Sequence, residues 1–259
     1  MNKIVYKEYF SDKVVKLVVE APLIARSRKA GHFVIVRCGE HGERIPLTIA
    51  HADVEKGTIT LVVQAVGVST NKICALNPGD YLTDVVGPLG QATQIKNYGT
   101  VVCCGGGVGV APLLPILTEY KKAGNKVISI LAGRTKDLII LEKEVREYSD
   151  EVVIMTDDGS YGQKGVITVG LEQVLNREKV DYVMTIGPAI MMKFVALLTK
   201  KYNIPTECSL NAIMVDGTGM CGACRVSVGG KTRFVCVEGP EFDAHDVDFD
   251  ELMMRLKSY

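Results

Sequence analysis

Most of the chain falls into two parts that differ in the pattern of their apolar and polar positions. Up to about residue 97, short runs rich in β-branched residues occur at positions 14–19, 33–38, 58–66 and 81–86. Turn residues, such as the Asn-Pro-Gly-Asp sequence at 77–80, separate these runs. Short strands separated by turn residues in this way predict a small antiparallel β-barrel.

Beyond residue 98, strand-like runs alternate with segments of helical periodicity. Strands are expected at 100–104, 127–131, 152–156 and 182–186, and helices at 111–123, 138–148, 168–175 and 189–202. Strands separated by helix-length segments pair in parallel, which predicts a doubly wound α/β sheet. A ligand of such a sheet is expected at the carboxyl ends of its strands.

The pattern changes again at residue 210, where a glycine- and cysteine-rich stretch begins. A hairpin signal at 226–231 and an acidic, methionine-rich helical pattern at 249–256 follow it. This segment has too few apolar residues for a core of its own, and a bound metal is a common substitute in segments of this size. We therefore predict three parts, at residues 1–97, 98–209 and 210–259.

Composition and charge narrow the possible functions. The 259 residues are 47% hydrophobic, and 30 Lys and Arg residues balance 30 Asp and Glu residues, so nucleic acid and anionic membranes are not expected partners. The uncharged stretch 97–118 contains Pro112, Pro115 and several glycines, which predicts a glycine-rich loop rather than a membrane helix. Charged residues occur too early for a secretory signal, so we expect a cytoplasmic protein with eight reduced cysteines.

The spacing of the cysteines is the strongest chemical signal. Asp216, Cys221 and Cys224 have the ligand-x4-ligand-x2-ligand spacing of a plant-type [2Fe-2S] loop, and Cys236 supplies a fourth ligand. Interspersed glycines let the backbone wrap closely and point amides at the sulfur atoms. A zinc site with the same ligands is the alternative, although zinc sites usually use two short paired arms. Cys208 competes with Asp216 for the fourth position, but it lies at the end of an apparent strand.

A glycine run between the first strand and the first helix of the α/β part predicts a dinucleotide site. Backbone without side chains lets a pyrophosphate approach, and a helix start offers free N–H donors. The residues concerned are Gly105, Gly106, Gly107, Gly109, Ala111 and Pro112. Arg134 follows the next strand, where an arginine can receive a 2′-phosphate, so NAD(H) and NADP(H) both stay open.

Further candidates lie in the barrel half and after later strands. An arginine that holds a pyrophosphate and a hydroxyl that hydrogen-bonds a flavin ring suit a flavin dinucleotide. The barrel candidates are Arg44, Pro46, Leu47, Thr48, Val63, Gln64, Gly67, Ser69 and Thr70. The candidates that follow strands of the α/β half are Asp157, Asp158, Gly187, Pro188 and Met191. Each of these, taken alone, also fits an ordinary turn or a core position.

The order of these motifs resembles the ferredoxin-NADP reductase superfamily over essentially the whole chain. Within its branch with a C-terminal [2Fe-2S] loop, residues 215–225 and 236–242 are similar to the small subunits of NADH-dependent ferredoxin:NADP oxidoreductases, including an aspartate as cluster ligand. The related electron-transfer subunits of class B dihydroorotate dehydrogenase have cysteine at the position of Asp216. The two alternatives therefore differ at that residue.

The resemblance implies an FAD-binding barrel (1–97), an NAD(H)-binding α/β domain (98–209) and a [2Fe-2S] region (210–259). It implies that Arg44 and Ser69-Thr70 bind FAD phosphates, and that Thr48 contacts the isoalloxazine as the catalytic residue.

The resemblance also implies a heterodimer for electron bifurcation. The partner would be a larger flavin and iron–sulfur subunit, through which ferredoxin is reached only indirectly. One alternative is an electron-transfer subunit of dihydroorotate dehydrogenase or of a sulfite/sulfide redox complex. Another is a zinc-stabilised binding module without redox chemistry.

Overall fold

The computed structural model describes residues 1–257, which form two compact units. Unit 1 comprises Met1–Thr93, Asn211–Arg225 and Phe234–Pro240, and unit 2 comprises the remaining described residues. Most of the cysteine-rich stretch thus belongs with the N-terminal unit, and the rest of the C-terminal segment with unit 2. The three-part division stays a prediction, and residues 258 and 259 of its third part lie outside the described residues.

Unit 1 is built on an antiparallel sheet with the strand order β6-β1-β2-β5-β4-β3-β7. Its elements are β1 (Asn2–Ser11), β2 (Val14–Glu20), α1 (Pro22–Ser27), β3 (Phe33–Arg37), β4 (Ile45–Asp53), β5 (Thr58–Gln64), α2 (Val68–Ala75), β6 (Tyr81–Leu82) and β7 (Asp84–Leu89). Only Thr83 separates the two edge strands along the chain, so the sheet curls into a nearly closed barrel. The predicted antiparallel barrel is confirmed.

Strand β3 is buried on both faces, which explains its continuous apolar sequence. Val34 and Val36 belong to the barrel core. Phe33 and Ile35 alternate with them and therefore face the other side, yet they are equally buried. A strand with two buried faces reads as an unbroken apolar run rather than as an alternation.

Unit 2 contains the predicted parallel sheet, with the strand order β11-β10-β9-β8-β12-β13-β16. The elements from residue 100 onward are β8 (Thr100–Gly106), α3 (Val110–Lys122), β9 (Lys126–Gly133), α4 (Glu142–Glu147), β10 (Glu151–Thr156), β11 (Gln163–Lys164), α5 (Ile167–Leu175), β12 (Tyr182–Ile186), α6 (Ala189–Lys201), β13 (Thr206–Ser209), β14 (Arg225–Val228), β15 (Lys231–Phe234), α7 (Val235–Glu238), β16 (Glu241–Asp243) and α8 (Phe249–Lys257). The pairs from β11 to β13 are parallel, and β16 adds an antiparallel edge. The predicted α/β sheet is confirmed.

Several local predictions need correction. The helix predicted at 138–148 is wrong in its first part, because Leu141 has a left-handed φ of 55° and α4 begins only after it. A short 3₁₀ turn, Lys136–Leu138, precedes it. The uncharged stretch 97–118 is mostly strand β8 and helix α3, with the glycine loop between them. Within residues 1–257, no helix is long and apolar enough to span a membrane. The cytoplasmic location stays a prediction.

A half-buried carboxyl group lies on β13 of unit 2. Tyr98 stacks on Tyr182 with ring centroids 4.1 Å apart, and Tyr182 hydrogen-bonds Glu207. Oε2 of Glu207 is buried and has no hydrogen-bond partner among the described residues. Burial raises the pKa of Glu207 above its ordinary value, and the negative charge of Asp243 raises it further.

We expect Glu207→Gln to raise the free energy of unfolding at neutral pH but not in acid. Because the folded-state pKa of Glu207 is raised, its stabilising contribution is complete below an unfolded pKa of about 4.3 and is lost as the pH rises through the folded-state pKa. A neutral amide avoids that loss, because it carries no charge at any pH in this range. Urea unfolding across this pH range measures the difference, with the exposed Glu172→Gln as control. An equal gain at every pH would contradict the prediction.

Candidate functional site

The four predicted cluster ligands all belong to unit 1. Cys236 lies on α7, and its Sγ is 3.2 Å from that of Cys224, with both thiols buried. Burial above all, and then the neighbouring Cys224 thiol, raise the pKa of Cys236 to about 12, while the Gly219 amide acts in the opposite direction. A thiol with such a raised pKa stays protonated until a metal displaces its proton.

Asp216 is held as a carboxylate by the loop that follows it. Its oxygens accept hydrogen bonds from the amides of Thr218 at 3.0 Å, Met220 at 3.0 Å and Cys221 at 2.9 Å. The Thr218 amide most of all, with contributions from the thiol and amide of Cys221, lowers the pKa of Asp216 to about 2. An ionised oxygen donor therefore stands beside the exposed Cys221 thiol.

The chemistry of this donor set suits a [2Fe-2S] cluster. One carboxylate and two thiols lie on a loop whose glycines 217, 219 and 222 all have positive φ, of 75°, 85° and 66°, and the third thiol, that of Cys236, lies on α7. This conformation turns amides inward, as in other anion-binding loops. Among residues 1–257, no group of three or more His, Cys, Asp or Glu side chains is already arranged around a metal position. The assignment of these four ligands stays a prediction.

Cys208, the competing ligand, is engaged elsewhere. It belongs to unit 2, where it is fully buried on β13 and its thiol donates to the carbonyl of Phe242 at 3.6 Å. Burial raises the pKa of the Cys208 thiol far above its usual range. These surroundings favour a core role for Cys208.

Arg44 stands at the start of β4 and has an unsatisfied donor. Its Nε is buried and has no hydrogen-bond partner in the part of the chain that the structure describes. A buried guanidinium N–H without an acceptor fits an anionic ligand such as a pyrophosphate. The other candidates on β4, Pro46 to Thr48, lie on the part of the strand that pairs with β3. Thr48 is paired with Phe33, and Pro46 with Ile35.

The second group of flavin candidates surrounds the start of α2. The Thr70 hydroxyl accepts hydrogen bonds from the amides of Val66 and Gly67, and so it caps the helix. The Ser69 hydroxyl donates to Glu43. A cavity of about 170 Å³ opens beside this turn and is lined by Ser69, Glu43 and the exposed Lys72, among others. It has the charged and hydroxyl groups that suit part of a dinucleotide.

The two remaining barrel candidates lie at the end of β5. Val63 is buried in the barrel core, so only its main chain can face a ligand. Gln64 is half-buried and pairs with Val14 on β2. The structure therefore groups the predicted flavin residues at the starts of β4 and α2 and the end of β5, and their roles stay predictions.

In unit 2, two predicted dinucleotide motifs meet across neighbouring strands. The glycine run from Gly105 to Gly109 comprises the last two residues of β8 and the turn that follows it, and Gly187 follows the adjacent strand β12. An added Cβ at Gly106 would lie 2.3 Å from Sδ of Met191, and one at Gly187 would lie 2.7 Å from its Cε. The Met191 side chain therefore packs across both glycines.

The glycine loop leads directly into helix α3, whose start has no side-chain cap. Helix α3 begins at Val110, its N-cap residue Gly109 has no side chain to cap it, and Ala111 and Pro112 form its first turn. Unpaired N–H groups and the positive end of the helix dipole favour a phosphate here. The chain also reverses its direction of travel across the sheet at β8, which is where such sheets bind ligands.

Arg134 and the two aspartates lie on loops after β9 and β10. The Asp158 amide donates to the Arg134 carbonyl at 3.3 Å, and the Lys136 amide donates to Oγ of Ser160 at 2.9 Å, which ties the loops together. Asp158 accepts the Ser160 hydroxyl and amide, which lower its pKa. Asp157 and the Arg134 side chain stay exposed. The predicted nucleotide residues thus follow four adjacent strands of one sheet.

Sequence reasoning missed the barrel residues on which the cluster loop rests. An added Cβ at Gly217 would lie 2.8 Å from side-chain atoms of both Ile35 and Leu89. Gln91 donates hydrogen bonds to the carbonyls of Val237 and Gly239. These contacts join positions more than a hundred residues apart, so no local sequence pattern predicts them.

Comparisons with known proteins agree with this geometry. Residues 211–248 match the iron-sulfur cluster binding domain of dihydroorotate dehydrogenase B. The chain is 46% identical, over its full length and 92% of the relative, to the dihydroorotate dehydrogenase B (NAD(+)) electron transfer subunit homolog of Thermotoga maritima. It is 33% identical, over 88% of the chain and 90% of the relative, to the corresponding electron transfer subunit of Desulforamulus reducens.

A solved structure of the NADH-dependent reduced ferredoxin-NADP oxidoreductase, described for flavin-based electron bifurcation, contains a chain of very similar fold. The TM-score is 0.96 at 45% identity, over all of this chain and 94% of the other. The resemblance inferred from the motifs is therefore confirmed, and the chain is related to oxidoreductase subunits. It belongs to the family of dihydroorotate dehydrogenase B electron transfer subunits.

Proposed function

We propose that the chain is the small FAD- and [2Fe-2S]-containing subunit of an electron-bifurcating NADH-dependent ferredoxin:NADP oxidoreductase. It exchanges hydride with NAD(H) and passes single electrons through its cluster to a larger flavin and iron–sulfur subunit. One observation supports this most directly: the candidate flavin residues and the four candidate cluster ligands belong to the same compact unit. Asp216 further favours this function, because the resembling small subunits have aspartate there.

When bound, FAD accepts hydride as an electron pair, and a [2Fe-2S] cluster carries one electron at a time. The chain's residues bind and orient these groups. Arg44 supplies a charged N–H donor for the FAD pyrophosphate, and the Thr48 hydroxyl hydrogen-bonds the isoalloxazine ring. The Cys236 thiol would hold iron as a thiolate, with its proton lost to solvent, and the Gly219 amide donates to its sulfur.

In unit 2, main-chain amides do most of the binding. The loop from Gly105 to Gly109 and the start of α3 present N–H groups to the pyrophosphate of NAD(H). Arg134 and Asp158, at the ends of the next two strands, contact the adenosine end, and their opposite charges determine whether a 2′-hydroxyl or a 2′-phosphate is preferred. We propose NAD(H) as the nucleotide of this subunit.

A spectrum and a rapid-mixing experiment test this function. Anaerobically purified protein is expected to show flavin bands with an iron–sulfur shoulder, and NADH is expected to bleach them faster than NADPH does. Faster reduction by NADPH would reverse the nucleotide assignment. Colourless protein that contains zinc would end the proposal and favour the zinc-stabilised binding module.

The electron-transfer subunit of dihydroorotate dehydrogenase B is a second candidate function. The relatives from Thermotoga maritima and Desulforamulus reducens favour it, and it uses the same cofactors with a different partner. Anaerobic coexpression with a glutamate-synthase-like flavoprotein or with a dihydroorotate-oxidising barrel separates the two. We expect a stable complex with the flavoprotein, whereas NAD⁺-linked dihydroorotate oxidation with the barrel protein would favour the second candidate.

Arg44→Ala is expected to weaken FAD retention by about tenfold or more while leaving the iron content unchanged. The expected loss corresponds to a charge-assisted hydrogen bond of about 1.5–3 kcal/mol. Flavin released on gel filtration and iron per chain are the two measurements. Arg26→Ala, an exposed arginine on α1 of the same unit, is the matched control. Unchanged flavin occupancy in Arg44→Ala would remove Arg44 from the binding site.

A further inference from the structure

Two segments of unit 1 carry the candidate cluster ligands, Asn211–Arg225 and Phe234–Pro240, and we call them the first and second arms of the cluster loop. Both arms contact the end of strand β7. The first arm contains Gly217, which packs so closely on Ile35 and Leu89 that a Cβ would come within 2.8 Å of each side chain. The second arm contains α7. Its carbonyls meet Gln91, two residues after Leu89, so a three-residue strip of the barrel contacts both arms.

Gln91 makes two hydrogen bonds to the second arm. Its side-chain Nε2 donates to the carbonyl of Val237 at 2.8 Å, and its main-chain N–H donates to the carbonyl of Gly239 at 2.6 Å. Val237 directly follows the candidate ligand Cys236. The side chain of Gln91 therefore holds the turn that bears Cys236 at the residue that directly follows it.

Close packing beside Gln91 leaves the second arm little freedom. An added Cβ at Gly90 would lie 3.1 Å from the carbonyl oxygen of Gly239 and 2.8 Å from the Phe33 ring. The turn itself is closed by the Phe234 amide, which donates to Oε2 of Glu238 at 2.6 Å. The turn at 234–239 is therefore closed by its own hydrogen bond and attached to the barrel through Gln91, so we expect it to shift as a unit when the Gln91 side chain is removed.

The strand register connects this attachment to the proposed flavin contact. Phe33 on β3 pairs with Thr48 on β4 on one side and with Leu89 on β7 on the other. Neighbouring strands lie about 4.8 Å apart, so Thr48 and Leu89 are separated by roughly 10 Å. The cluster arms are therefore fixed to the same three strands that present the isoalloxazine contact.

We propose that Gln91 is a positioning residue for the iron–sulfur cluster: its side-chain amide fixes the Cys236 arm on the barrel and thereby sets the environment of the cluster. The inference rests on the proposed function insofar as that function requires the cluster. Gln91 touches no ligand atom and acts through the Val237 carbonyl.

The test compares variants that keep or remove the side-chain donor. Gln91→Glu preserves size but replaces the donor with a carboxylate facing a carbonyl, and Gln91→Met removes the donor without adding charge. Gln91→Lys keeps an N–H donor on a long side chain. Gln173→Glu, at an exposed position on α5, is the control for the chemical change.

For Gln91→Glu and Gln91→Met we expect chelator-driven iron loss to accelerate by about twofold to tenfold, the range that one net hydrogen bond corresponds to. The electron paramagnetic resonance spectrum and reduction potential of the cluster should also shift, while FAD content stays at the wild-type level. Gln91→Lys, which keeps a donor for the Val237 carbonyl, should lose iron at the wild-type rate. Gln91→Met serves as the test if Gln91→Glu does not fold.

Two results would overturn the proposal. One is donor-free variants that match Gln173→Glu in iron loss, spectrum and potential. The other is simultaneous loss of FAD, which would mean that Gln91 supports the barrel rather than the cluster arm. A wild-type protein that binds no cluster under any reconstitution would instead end the proposed function, so the two failures are distinguishable.

Discussion

Cys236→Ala is expected to abolish the iron–sulfur absorption and to leave the flavin bands intact. Cys236 is the one candidate ligand on α7, and its sulfur lies 3.2 Å from that of Cys224, so its loss removes one of two closely paired thiols. A [2Fe-2S] cluster needs four ligands. Because the proposed FAD contacts lie on β4 and at the start of α2, flavin binding should continue.

Cys208→Ala is the matched control, because it removes a second buried thiol outside unit 1. The expected iron content of this variant is that of the wild type. Iron and acid-labile sulfide per chain, measured with the visible spectrum, compare the two variants. Loss of the cluster in Cys208→Ala but not in Asp216→Ala would make Cys208 the fourth ligand and contradict the assignment of Asp216.

The fold could be predicted from the sequence wherever local pattern and tertiary structure agree. The strand at 182–186 and the helix at 189–201 were predictable because both are long, apolar and bounded by turn residues. The helix predicted at 138–148 was not correct, because its apolar positions continue through Leu141, whose left-handed backbone breaks the helix. A hydrophobic pattern does not encode that backbone angle.

For the candidate sites, too, the residues that share a local sequence pattern were predictable, and the contacts that depend on tertiary structure were not. Spacing alone predicted Cys221 and Cys224 as candidate ligands, since both lie on one short loop. The contacts of the ligand-bearing segments with Ile35, Leu89 and Gln91 could not be predicted, because they join the barrel to residues far along the chain. The unbroken apolar run of β3 was the available signal: a strand with two buried faces requires something to cover the second face.

Gly109→Ala is expected to slow flavin reduction by NADH at least about tenfold without removing either cofactor. A Cβ at Gly109 would lie 2.5 Å from the Ile186 carbonyl oxygen and 2.9 Å from Cα of Gly187, which are main-chain atoms that no side-chain rotation can move away. The glycine loop must therefore shift away from β12. An error of about 1 Å in a binding loop is sufficient for losses of this size or larger.

The measurement is anaerobic stopped-flow reduction over a range of NADH concentrations, followed by dithionite. Dithionite should still reduce flavin and cluster in Gly109→Ala, since their candidate ligands belong to unit 1 and Gly109 to unit 2. Gly124→Ala, at the other end of α3, is the control for backbone strain: its φ of 86° also strains an alanine, but the nearest atom to the added Cβ, Nδ2 of Asn97, is 3.4 Å away and the position lies outside the glycine loop. If both variants were reduced by NADH at the wild-type rate, the loop would not bind the nucleotide. If Gly109→Ala lost its flavin, the two units would depend on each other for folding, and reduction kinetics could not be assigned to nucleotide binding.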